Sequence, residues 1–415
     1  EYFRSWFFGI LWFGQGATLG PHWTLGNITY LFADLGILTS TASLWGIYGI
    51  NFIVIFFATS FILLATNYLA YPKTKIFVRK SFGLILGLLS ILIFLTIHYL
   101  IADGSEVSSD NAVPVALIQT SYPTKNGYTS KEFLDDFNQK LNLLENLPEE
   151  IKSKESVIIL PEGSDLSKSL STFMNSADIG KYFKRLSEKE LLVIDNNRVE
   201  GDDGFKSKTI VTNSKQGAVG FYDKKLLTMG GEYLPYLLKV PSLLMSAPAE
   251  NNFSHLRQFS RGKEPGLIEH NGHKIKILVC SDAISPSIAN ASTSDFIIVL
   301  NSLGIWGGNK NIESQFLSIS QLRAAESKKY IALASNFGQS YVINPSGRVE
   351  KSTNSTGYQI LTGGIVPNQT RTWYNKLEDW PILLLSLAVL GFGLITYRNA
   401  NQNKIFHRFS RISSR

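Results

Sequence analysis

The sequence predicts an α/β protein in which a layered sandwich of helices and strands is inserted between transmembrane α-helices. Three observations carry this. Apolar runs long enough to cross a hydrocarbon core occupy Leu44 to Leu69, Ser81 to Ala102 and Pro381 to Tyr397. Between the second and third of these, strand-like runs alternate with helical periodicity and then follow one another directly, which suits a layered α/β domain. The basic residues flank the apolar runs instead of clustering on the intervening domain.

Composition narrows the function classes. The 415 residues suffice for one large domain plus a membrane part, and charged residues make up only 18%, below the usual quarter or so. The single cysteine excludes an intramolecular disulfide, and the six histidines do not cluster. No HExxH, CxxC, GxxxxGK[ST] or GxSxG occurs, so metal, nucleotide and serine-hydrolase chemistry have no anchor, and neither a metal nor a cofactor is expected. The net charge of +7 reports membrane topology and anionic lipid contact. A nucleic-acid partner is not expected, since it would need basic residues with interleaved aromatics on the soluble domain.

In chain order, Glu1 to Gly20 is apolar and aromatic and reads as a membrane helix; lacking an initial methionine, the chain is expected to begin inside a longer protein. Pro21-His22-Trp23 breaks that helix, and Thr24 to Ser43, rich in hydroxyls, reads as an interfacial or re-entrant segment. Two spans follow, joined by a loop at Tyr71 to Lys80 whose Lys73, Lys75, Arg79 and Lys80 place it in the cytoplasm. Residues 1–102 are thus expected to form an N-terminal membrane region with an incomplete start, and residues 103–375 an extracytoplasmic domain entered through the polar linker Asp103 to Ala112. Within it, strands are expected at Val113 to Gln119, Val157 to Leu160, Leu191 to Asp195, Thr209 to Val211, Gly217 to Tyr222, Ile275 to Cys280, Phe296 to Leu300, Tyr330 to Ser335 and Gln339 to Ile343. Helices are expected at Ser130 to Leu147 and around Ile312 to Lys328. Residues 376–415 supply a last span and a basic tail with Arg398, Lys404, Arg408, Arg411 and Arg415, which agrees with the first basic segment in facing the cytoplasm.

Chemistry concentrates at three places. Cys280 ends a β-branched-rich strand where Ser281, Asp282 and Pro286 turn the chain, a position that exposes a nucleophile. Taken alone, a lone cysteine is more often a buried structural residue. Val157 to Asp165 is another apolar strand ending in a carboxylate, Glu162, and Phe221 to Pro235 holds Lys224 and Glu232 around a Gly230-Gly231 turn. Taken alone, Glu232 is as often a solvated turn carboxylate.

As an ordered set, Glu162, Lys224 and Cys280, with the Tyr-x-Lys-x-x-Leu and Gly-Glu-Tyr-x-Pro contexts, resemble the Glu-Lys-Cys triad of the nitrilase superfamily over roughly Val113 to Val366. The resemblance implies an αββα nitrilase-like sandwich. A thiol is mostly protonated at neutral pH, so a carboxylate must accept its proton, which assigns Glu162 as the base. Attack on a carbonyl builds an oxyanion, which Lys224 would stabilise together with the Ser281 amide. The resemblance adds Glu232 as a supporting acid. Ser281, Asp282 and Trp306 are expected to line the acyl pocket, where Ser281-Asp282 replaces an aromatic and a glutamate common in the family.

A nitrilase-like domain held outside the cytoplasmic membrane between spans resembles the apolipoprotein N-acyltransferase family, with echoes at Pro21, Trp23, Gly26 and Gly46-x-Tyr48-Gly49-x-Asn51-Phe52. That resemblance implies a bacterial inner-membrane enzyme with two substrates, a membrane phospholipid as acyl donor and a diacylglyceryl-apolipoprotein as acceptor. Two alternatives stand beside it. The same triad with water as acceptor would be a membrane-tethered amidase or nitrilase, and a degenerate domain would only bind lipidated proteins.

Overall fold

The computed structural model describes residues 1–72, 74–103, 111–123, 128–201, 204–244, 258–354 and 357–413. Most of the expected linker Asp103 to Ala112, Lys73 in the expected loop and Arg415 in the tail lie outside the described residues. The centre is built of β1 (Val113–Gln119), β2 (Ser156–Ile159), β3 (Leu191–Gly201), β4 (Gly204–Asn213), β5 (Gly217–Asp223), β6 (Leu267–His270), β7 (His273–Val279), β8 (Phe296–Ser302), β9 (Ile331–Asn336), β10 (Tyr341–Ile343), β11 (Val349–Ser352) and β12 (Gln359–Ile365). They form two six-stranded sheets, ordered β12-β1-β2-β3-β4-β5 and β11-β10-β9-β8-β7-β6. In each sheet three central strands run parallel, β1-β2-β3 and β7-β8-β9, and the flanking pairs are antiparallel.

Period-two alternation sorts β1, β2 and β3 of the first sheet between two cores. Val115, Leu117, Val157, Ile159, Leu192 and Ile194 join Ile275, Ile277 and Val299 of the second sheet in one cluster. Their neighbours Ala116, Ile118, Ile158, Leu191 and Val193 pack instead with Phe137, Leu144, Leu170 and Phe183 on helices Ser130–Glu145, Leu166–Phe173 and Ser176–Arg185. The first of these helices starts at a capping box formed by Thr129 and Glu132. On the far side of the second sheet, helix Lys310–Ser327 contributes Phe316, Ile319 and Leu322 to the core. The order helix, sheet, sheet, helix is the αββα sandwich expected.

Strands β6, β11 and β12 and helices Leu166–Phe173, Ser176–Arg185 and Tyr236–Leu244 were not expected from the sequence pattern. β12 escapes it because Gly363 and Gly364 carry no side chain. The sandwich requires this at Gly363, where a Cβ would lie 2.9 Å from Val342 Cγ2.

Among the described residues, three helices are long and apolar enough to cross a membrane: Ala42–Ala70, Lys75–Ile101 and Trp380–Arg398. Two membrane expectations are corrected. Helical structure in the first stretch runs over Tyr2–Leu11 and stops, and residues up to Gly20 are not one continuous helix. Gly16 and Gly20 take positive φ there, and Gly14 bridges to Pro235 of the sandwich domain. Second, Tyr71 to Lys80 is not a loop. Helix Thr74–Asp103 begins within it and carries Lys75, Arg79 and Lys80 on its first turns, because nothing after Pro72 in TKIFVRK breaks a helix.

The Ala42–Ala70 helix has two environments. Its first turns, with buried Ile47, Tyr48, Ile50 and Asn51, sit under helix Lys310–Ser327, whereas Ile55, Phe61, Ile62 and Leu63 further along are exposed, as lipid-facing side chains should be.

Candidate active site

Glu162 and Cys280 both lie just past the carboxyl ends of central parallel strands, β2 and β7, where α/β proteins gather their chemistry. Cys280 follows β7 directly and adopts a left-handed backbone with φ 46°, a conformation that costs a non-glycine residue about 1–3 kcal/mol and persists only where its surroundings enforce it. Asp282 is what enforces it. Its Oδ2 accepts from Val279 N at 3.0 Å and Tyr222 Oη at 2.8 Å, and its Oδ1 from Leu226 N at 2.7 Å and Lys225 N at 3.1 Å. One carboxylate thereby ties the cysteine turn to the segment that carries Lys224.

Lys224 sits at the end of β5, and its backbone is held on both sides: its N–H donates to Ser207 O and its carbonyl accepts from Gly262 N. Gly262 is required for that approach, since a Cβ there would meet Asp223 O at 1.9 Å. The ammonium is 1% exposed. It donates to Glu162 Oε1 at 2.7 Å, lies 3.0 Å from Glu232 Oε2, and reaches Thr228 Oγ1 at 3.3 Å. Glu232 is oriented in turn by Thr228 N, which donates to Oε2 at 2.7 Å. Glu162 is placed by the turn behind it, where Gly163 N donates to Asn196 Oδ1 at 2.9 Å and Arg198 N to Asp165 Oδ1 at 2.6 Å.

Burial alone would favour a neutral lysine, but Glu162 and Glu232, helped by Cys280, outweigh it and hold the Lys224 pKa well above its ordinary value. Burial, and then the Glu162 charge, push the Cys280 thiol upward against the opposing effect of Lys224. The resting cysteine is therefore a protonated thiol whose Sγ lies 4.0 Å from Ser302 O. Glu232 is also raised, by burial first and by Glu162 as the like charge across the lysine. In this set a carboxylate can accept the thiol proton while the buried cation stabilises a new oxyanion within one dry site.

The structure brings Glu162, Lys224 and Glu232 together and places Cys280 within their field. Asp282 and the Ser281 side chain, expected at the acyl pocket, are engaged by the scaffold. Asp282 is fully buried with its oxygens occupied by the scaffold bonds above, and Ser281 Oγ donates to Leu226 O at 2.5 Å. A carboxylate two residues past a nucleophile reads as pocket charge in sequence, but its four donors come from 56 to 60 residues away or from its own turn. Trp306 is 46% exposed on the 304–306 turn beside Ile305, whose Cδ1 lies 3.1 Å from where a Gly231 Cβ would be; the pair forms an apolar lip near the Glu232 loop. Sequence reasoning missed Thr228, which links Lys224 and Glu232 to Ser281 Oγ at 3.2 Å; a threonine outside any known motif gave no signal. Among the described residues no three His, Cys, Asp or Glu side chains gather as a metal site requires.

The scaffold role of Asp282 is testable. Asp282→Ala would leave three backbone N–H groups and the Tyr222 hydroxyl unpaired, each costing about 1–3 kcal/mol. An unfolding midpoint lowered by at least the equivalent of about 3 kcal/mol is expected; an unchanged midpoint would refute it.

An αββα sandwich with a thiol, a lysine and two carboxylates at its strand ends is an arrangement suited to nucleophilic chemistry at a carbonyl. The chain belongs to the carbon-nitrogen hydrolase family, whose model matches residues 115–375. It is 26% identical over 404 residues to an apolipoprotein N-acyltransferase of Rickettsia prowazekii (strain Madrid E), covering 94% of this chain and 73% of that protein. A Rickettsia bellii (strain RML369-C) protein of the same name is 27% identical over 398 residues, covering 93% and 71%. Among solved structures, a nitrilase-superfamily member of Saccharomyces cerevisiae superposes with a TM-score of 0.45 at 15% identity, over 62% of this chain and 91% of that one. Together with the three apolar helices, the family match and the two N-acyltransferase relatives mark the chain as an acyltransferase of a membrane.

Proposed function

We propose that this protein transfers a fatty acyl chain from a membrane phospholipid, through a thioester on Cys280, to the N-terminal amine of a diacylglyceryl-cysteine in bacterial apolipoproteins. The observation that carries the reading is the buried Lys224 shared by Glu162 and Glu232 beside a left-handed cysteine, in a chain similar along 94% of its length to proteins named for this activity. Glu162 accepts the thiol proton as sulfur attacks the ester carbonyl, and Lys224, with the Ser281 amide, stabilises the oxyanion. Collapse breaks the ester bond, and the proton returns to the departing lysophospholipid oxygen. The lipoprotein amine then attacks the thioester, loses its proton to Glu162, and the thiol is restored. Glu232 keeps Lys224 oriented and charged through both half-reactions. The catalytic domain lies on the extracytoplasmic face of the inner membrane, because Lys75, Arg79 and Lys80 and the tail after Arg398 both follow the positive-inside rule. A bilayer-level site suits both substrates, since extracting their chains would cost about 0.8 kcal/mol per CH₂.

Incubation with a diacyl phospholipid alone should add one acyl mass to Cys280, labile to hydroxylamine, with stoichiometric lysophospholipid, and then stop. A diacylglyceryl peptide with a free amine should discharge it, and its N-acetylated form should not. No adduct with phospholipid, but rapid ammonia release from simple amides, would establish a membrane-tethered amidase instead.

A further inference from the structure

The turn that carries Cys280 is anchored twice. Asp282 binds it to the sandwich domain, as described. On its other side two consecutive carbonyls, Ala283 O and Ile284 O, are held by groups belonging to or leading into the membrane region. Arg323 Nε donates to Ala283 O at 3.1 Å, and Thr24 Oγ1 to Ile284 O at 2.5 Å. Arg323 is buried and ion-paired through Nη1 with the equally buried Glu326 Oε2. The other oxygen of Glu326, Oε1, accepts from Ile47 N at 3.0 Å. That N–H follows Gly46, whose φ of 62° breaks the regular course of helix Ala42–Ala70 at its first turns. The break is built in: a Cβ on Gly46 would lie 2.2 Å from the Tyr374 ring.

We infer that Arg323, Glu326 and Thr24 are positioning residues that tie the nucleophile turn to the broken start of the first long membrane helix, and so set the height of the thiol relative to the bilayer. This rests on the acyl-transfer reading for its consequence but not for its geometry. A buried ion pair is not retained for stability alone, because well-packed apolar side chains of similar volume often do as well. Here each partner also binds a backbone group, one on the catalytic turn and one on the membrane helix. A donor held in a bilayer presents its ester at a fixed depth, so a thiol whose turn is rigidly referred to a membrane helix meets that ester without a search.

The test is a split between donors, using the full chain. In Glu326→Gln one amide oxygen cannot serve both Ile47 N and Arg323, so the tie is cut while Asp282 still shapes the turn. Loading of Cys280 from phospholipid in reconstituted vesicles should fall at least tenfold. Loading from monomeric dihexanoyl phosphatidylethanolamine, supplied to the protein in ether-lipid vesicles, should fall less than threefold. Gly46→Ala should reproduce the split, and the double variant should be no worse than either single one, because both cut one connection. If Glu326→Gln does not accumulate, Thr24→Val should show the same split through Ile284 O, and Arg323→Lys should lie between wild type and Glu326→Gln. Equal losses on both donors, multiplying losses in the double variant, or no loss in folded variants would overturn the inference. Should wild type load from neither donor, the acyl-transfer reading fails, and the tie is read instead from Cys280 alkylation. Alkylation by a bilayer-anchored maleimide should fall at least tenfold in Glu326→Gln, and by soluble N-ethylmaleimide less than threefold; equal changes would refute it.

Discussion

Cys280→Ser is expected to abolish acyl loading while the protein folds normally. The substitution is close to isosteric, and serine has no more difficulty than cysteine with the φ of 46° at this position. The chemistry differs greatly. The resting thiol is already pushed up by burial and by Glu162, so the site works by removing its proton during attack instead of storing a thiolate. An alcohol is a far weaker acid, and a base matched to a thiol has little driving force to deprotonate it. Mass spectrometry after incubation with phospholipid should show no adduct on the variant, alongside an unchanged unfolding midpoint. Full loading would remove Cys280 from the mechanism.

Lys224→Met is expected to slow loading by roughly 10²–10³-fold, the cost of one lost oxyanion donor, and to move its pH dependence upward. The second effect distinguishes a catalytic lysine from a structural one. In the native site the ammonium lies 2.7 Å from Glu162 and 3.0 Å from Glu232, between the two carboxylates. Without it they face each other as like charges in a poorly solvated site, so one of them retains its proton to higher pH. A proton held between the two carboxylates leaves the pair a poorer acceptor for the thiol proton, so the rising limb of the pH–rate profile should shift to higher pH. A loss below tenfold with an unshifted profile would make Lys224 a packing residue only.

The parts of this protein that were legible in its sequence are those governed by local patterning. Apolar run length marked the membrane helices, because a hydrocarbon core imposes its own dimension on any segment that crosses it. Alternation of Val, Ile and Leu marked β1, β2, β7 and β8, because their two faces enter packed cores. Glu162 and Cys280 were legible because strand ends project their next residues into one region, and Lys224 because its flanking residues matched a family pattern. Tertiary structure alone decided which polar residues serve chemistry and which serve support. Asp282 stands two residues from Cys280 in sequence yet its oxygens are taken by the scaffold, since its hydrogen-bond partners Lys225, Leu226 and Tyr222 come from another strand and its following loop. Arg323, Glu326, Gly46 and Thr24 are scattered across the sequence, and nothing in their local context announces that they meet. A hydrogen bond between distant segments depends on how whole elements pack, which no window of sequence contains, whereas period, run length and strand ends are properties of the local chain.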